Sequence, residues 1–191
     1  MLNTILGSLS GGVAAATGSY ESIATATGTG SSGTITFSSI PSTYASLQLR
    51  FLSRNSATGT GSGDVLLRFN SDSGSNYAFH YMTGNGSVAS SNGSATQTSI
   101  KLDNASTNNG ETSNNMTVGI IDIHDYASTT KYKTVREFQG NDNNGNSSSI
   151  CRLYSGLWMS TSAISTITLT LNLANNFTTA STFALYGIKG A

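Results

Sequence analysis

In the stretch Ile164–Leu173 the chain alternates strictly from Ile167 on: Ile167, Leu169, Leu171 and Leu173 are separated by Thr168, Thr170 and Asn172. A period of two puts all the apolar side chains on one face of an extended strand and the hydroxyls and amide on the other, the pattern of a half-buried antiparallel strand. The same alternation returns along the chain, bounded each time by clusters of Gly, Ser and Asn that supply turns. Leu47, Leu49 and Phe51 share a face, as do Val65, Leu67 and Phe69. Further strands are expected over Ser22–Ala26, Thr34–Phe37, Tyr77–Met82, Ser99–Leu102, Met116–His124, Lys133–Phe138, Ile150–Trp158 and Phe183–Ile188, eleven in all. Short strands and turns without a capped 3.6-period segment specify an all-β, antiparallel, jelly-roll-like sandwich. Its core is expected to contain Leu49, Phe51, Leu67, Phe69, Leu169, Leu171, Phe183 and Leu185.

Four low-complexity stretches, Asn55–Gly63, Thr83–Thr98, Asp103–Asn115 and Gly140–Ser149, read as long surface loops. The first 18 residues look separate from the sandwich. In this N-terminal arm Leu2, Ile5, Leu6 and Leu9 stand at offsets of three and four, yet the segment is too short and Gly-rich to be a stable helix alone. The expected organisation is therefore an arm over 1–18 and one sandwich domain over 19–191, with the four apolar arm residues as a partner-binding element. The arm lacks the basic start and continuous apolar run of a signal peptide. No stretch reaches the ~18 apolar residues of a membrane-spanning helix.

Charged residues are 9% of the 191, with nine basic and nine acidic side chains and a net charge of zero. No basic cluster exists, so neither nucleic acid nor an anionic membrane is expected as a partner. The single cysteine, Cys151, has no intrachain partner and lies in an apolar strand pattern, which reads as a buried small hydrophobe.

Candidate chemistry is sparse. Asp122, His124 and Asp125 form the densest ionisable cluster, with Asp122 and His124 on one strand face, but they end a strand where such residues are ordinary. Asn70, Asp72, Gly74 and Asn76 resemble the start of a calcium loop without its closing glutamate, and read as a tight hairpin connection; Asn141–Asn146 reads as a turn. The two histidines, His80 and His124, accompany neither a Gly-x-Ser-x-Gly elbow nor a Cys/His motif. Trp158 reads as core or an interface anchor in preference to a glycan platform. No catalytic residue, metal or cofactor is expected.

Five strings carry a more specific signal: Thr36–Arg50 (TFSSIPSTYASLQLR), Leu67–Tyr81 (LRFNSDSGSNYAFHY), Lys131–Arg136 (KYKTVR), Ser155–Ser160 (SGLWMS) and Phe183–Gly190 (FALYGIKG). Together, in this order, they resemble a β-sandwich module of structural proteins of tailed bacteriophages, cyanophages in particular, over about Tyr20–Ala191. The resemblance implies a non-enzymatic virion protein on the particle surface. A module with only a short arm resembles a capsid decoration, or cement, protein, expected as a homo-oligomer, a trimer by preference, on the major capsid protein or other virion proteins. The alternative it implies is a tail fibre, spike or baseplate component that binds host glycan; a depolymerase is the third.

Overall fold

Alternating residues become strands here, and the computed structural model describes residues 18–112, 114–144 and 149–190, with twelve strands and no helix among them. In chain order they are β1 (Tyr20–Thr27), β2 (Thr34–Phe37), β3 (Ser46–Asn55), β4 (Ser62–Phe69), β5 (Tyr77–Gly84), β6 (Ala89–Gln97), β7 (Ile100–Asn108), β8 (Thr117–His124), β9 (Lys133–Asn141), β10 (Ile150–Trp158), β11 (Ile167–Leu171) and β12 (Thr182–Ile188). Sheet A runs β1-β12-β3-β8-β9-β10-β5-β6 and sheet B runs β2-β11-β4-β7, antiparallel throughout. The two join where Arg54 and Asn55 of β3 pair in parallel with Thr107 and Asn108 of β7.

The inner faces pack into the all-β sandwich that the alternation specifies. Leu49, Phe51, Leu67, Phe69, Leu169, Leu171, Phe183 and Leu185 are all buried, as expected. Trp158 of sheet A lies 5.5 Å, centroid to centroid, from Phe69 of sheet B and stacks on Tyr77 at 6.3 Å. Ile100 of β7 fills the space left by the missing side chain of Gly156 in β10; a Cβ there would collide with it.

Several expectations change. The stretch Thr83–Thr98, expected as a loop, contains β6, which has no large apolar residue because both its faces are open to water; backbone pairing with β5 alone makes it a strand. Asp103–Asn115 is strand as far as Asn108. The strand expected over Ile164–Leu173 shortens to Ile167–Leu171. Leu173 is 69% exposed, since the chain leaves the ladder and turns, Asn175 N donating to Leu173 O. Asn70–Asn76 is not a hairpin, because β4 belongs to sheet B and β5 to sheet A; it is a corner between the sheets. Asn70 takes a left-handed conformation (φ 51°), which Asn tolerates. Its amide reaches Ala163 O and accepts from the backbone of Ser165 and Thr166.

The proposed arm, with Leu2, Ile5, Leu6 and Leu9, falls almost wholly on residues 1–17, outside the described residues.

Candidate functional site

Strands β8, β9, β10 and β5 form a continuous region of sheet A whose outer face is partly apolar, and on β9 the two faces have exchanged their usual chemistry. On β9 the buried positions are Lys133, Val135, Glu137, Gln139 and Asn141, while Phe138 points outward and is 55% exposed. On β8, Val118 and Ile120 are exposed beside it, and on β10 and β5 so are Leu153 and Met82. Register aligns these side chains into rows. Ile120 faces Phe138, Phe138 faces Leu153, and Leu153 faces Met82. The neighbouring row is Leu52, Val118, Gly140, Cys151 and Gly84. Two of its five positions are glycines, so a row of large side chains borders a trough. A depression of about 730 Å³ lies along it, lined among others by Leu52, Val118, Gly140, Ile150 and Cys151.

Cys151 is therefore exposed, contrary to the expectation of a buried thiol. Tyr154 and Trp158, both 2% exposed, set the register of β10, and a period of two then turns residues 151 and 153 outward. Arg152 follows Tyr154 inward: its Nε donates to Thr83 and its guanidinium lies 5.2 Å from the Tyr81 ring centroid.

At the rim of the apolar rows, Arg50 and Asp122 are engaged. Arg50 lies over the rings of Tyr20 and Tyr186, at 5.2 and 5.0 Å, and donates to Gln48, which donates in turn to Asp122. Asp122 and His124 share the outer face of β8, as the alternation predicts. Asp125 has turned away to an exposed ion pair with Lys131. Among the described residues no three His, Cys, Asp or Glu side chains stand where they could hold a metal ion.

The inner side of β9 is polar at both ends, with Glu137 and Gln139 behind the apolar rows and Lys133 at the far end opposite Trp158. Lys133 is fully buried, and its ammonium donates to the carbonyls of Ser128, Lys131 and Ser160. Glu137 is 1% exposed, and neither of its carboxyl oxygens has a hydrogen-bond partner. Burial pushes this carboxyl well above the ordinary range, with the Arg152 charge opposing. Gln139 donates to Asp103 O and Tyr154 accepts from Asp103 N, while the Asp103 carboxylate pairs with Lys101 at 2.7 Å.

The calcium-loop-like segment is spent on structure. Asp72 accepts from the Trp158 indole, Asn76 and the backbone of Gly74. These bonds, the indole's first, hold its carboxyl below the usual range. Trp158 itself is core. The apolar outer face has no motif; its signal is the pairing of outward apolar residues with inward polar ones on β9.

Comparison of the chain with protein-family models, with curated proteins and with solved structures finds no match in any of the three.

Proposed function

We propose that this chain is a non-enzymatic structural protein of a tailed bacteriophage particle and, within that role, a capsid decoration protein that binds the assembled shell as a homo-oligomer. One observation carries the reading: the five phage-like strings all contribute buried residues to one core, among them Leu49, Phe69, Val135, Trp158 and Leu185. Thr36–Arg50 and Phe183–Gly190 meet where β3 pairs with β12 and the Tyr44 ring covers Gly187. Leu67–Tyr81 and Ser155–Ser160 meet through the Asp72–Trp158 bond and the β5–β10 ladder. Lys131–Arg136 joins them through Lys133 and Ser160. Strings distant in sequence thus share one core, which supports reading them as parts of a single folding unit. A nearly uncharged polar surface with one large apolar face suits a protein whose work is attachment.

Copy number tests the role. Quantitative mass spectrometry of purified particles should find hundreds of copies, with density for the sandwich on the outer shell in an image reconstruction. A few to a few tens of copies at the tail would reject decoration. That outcome would favour the glycan-binding alternative, for which the relevant feature is a depression of about 300 Å³ lined by Tyr81, Asn92, Gln97, Lys101 and Asp103. It combines an aromatic ring with polar groups, as sugar sites do.

A further inference from the structure

We infer that the outer face of sheet A is the contact between two copies of this chain, packed face to face. The two-fold axis runs across the strands, between the large-side-chain row and the trough. A rotation about that line brings Phe138, Leu153 and Met82 of each copy over Gly140, Cys151 and Gly84 of the other, with Ile120 meeting Val118 at the end of the row. Successive outward residues on a strand are about 7 Å apart and packed sheets about 10 Å, so a ridge one row wide fits a trough one row wide.

Three observations favour a second copy as the occupant. The first is shape: ridge and trough lie side by side on one surface, which makes that surface its own complement, as an isologous contact requires. Area is the second. Leu52, Met82, Val118, Ile120, Phe138 and Leu153 are between 39% and 67% exposed. At that exposure, six such side chains leave on the order of 500–600 Å² of apolar surface in water, the upper end for a monomer. With its polar rim the face approaches the about 800 Å² per partner of a standard interface. The third is charge: the two rows from β8 to β5 contain no ionisable group except the Cys151 thiol, and the flanking Asp122, Arg136 and Asp142 carry both signs on a chain of zero net charge.

A self-complementary face closes with two copies and not three. The assignment rests on the assembly reading above only for its expectation that copies associate; the particle itself plays no part in the geometry.

Sedimentation of the full-length chain tests this directly, with maleimide labelling of Cys151 as a second readout. The expected result is a mass that doubles with rising concentration, together with labelling that slows as the dimer fills. Phe138→Asp and Leu153→Asp, both at exposed positions, should abolish the dimer and restore fast labelling with near-UV circular dichroism unchanged. Leu173→Asp, on the exposed turn after β11, should leave the dimer intact. A chain that stays monomeric at every concentration, or an oligomer that survives Phe138→Asp, overturns the proposal. Dimerisation by a chain absent from particles would remove the virion role and leave this contact standing, whereas an abundant virion protein that is monomeric in solution would do the reverse.

Discussion

Strands β11 and β9 are both alternating, yet they spend their alternation in opposite ways. On β11 the buried residues are Ile167, Leu169 and Leu171, with Thr168 and Thr170 outside. On β9, Lys133, Glu137, Gln139 and Asn141 go in and Phe138 stays out. Alternation makes a strand with two unlike faces, but which face turns inward is decided by the neighbours that fix the register. The lesson is that both sheets bury an apolar inner face, but β9 interrupts that of sheet A with buried polar residues and turns Phe138 outward. There the outward apolar side chains are free to serve something other than folding.

Breaking the apolar core should have the largest effect. Leu67→Ala, at a fully buried site in sheet B, should cost about 2–5 kcal/mol in denaturant unfolding, through lost transfer energy and the cavity left behind. Losses below about 0.5 kcal/mol would mean that this core does not hold the fold. Next is Lys133→Met, which leaves three carbonyls without their ammonium donor. A loss on the order of 3 kcal/mol is expected, since removing one partner strands the others in a buried site.

Glu137 sharpens the contrast through pH. Its folded carboxyl titrates well above the ordinary 4.5, so above that value the unfolded chain releases a proton that the folded chain keeps. Stability then falls as pH rises from about 4.5 through the folded value. Glu137→Gln should therefore stabilise the protein at pH 8 and change little at pH 4, by equilibrium unfolding at both. A variant less stable at pH 8 would show that the carboxylate is held ionised. Asp72 acts in the opposite direction and more weakly: its lowered carboxyl contributes stability above the unfolded value that is lost as pH falls through the folded one, a dependence that Asp72→Asn should remove.

Much of the fold was legible in the sequence because strands with one buried face announce themselves: the eight core residues named from alternation are all buried. What was not legible had a physical reason each time. Strand β6 (ASSNGSATQ) buries almost nothing, so no periodicity can mark it. The Asn70–Asn76 corner has the composition of a hairpin turn, and only the pairing of its flanking strands with different sheets separates the two. Cys151 looked buried because Ile150, Cys151 and Leu153 are apolar in both phases, and two aromatics further along settled the phase. The outer apolar face is hidden for the same reason: alternation marks Phe138 as a strand residue, and only the burial of Glu137 and Gln139 turns it outward. The arm residues Leu2, Ile5, Leu6 and Leu9 keep their place as an attachment proposal. Deleting residues 1–18 should leave the melting temperature almost unchanged while abolishing binding to particles that lack the protein, and undiminished binding would move attachment to the sandwich.

The smallest expected effect on folding is also the most telling. Because a dimer is stabilised by mass action, the melting temperature of the wild-type chain should rise with its concentration. That of Phe138→Asp should not, and should equal the wild-type value at high dilution, to within the about 0.5 kcal/mol of an ordinary surface change. A wild-type melting temperature independent of concentration, or a variant that melts well below the dilute wild type, would show that the outer face of sheet A belongs to the fold and not to an interface.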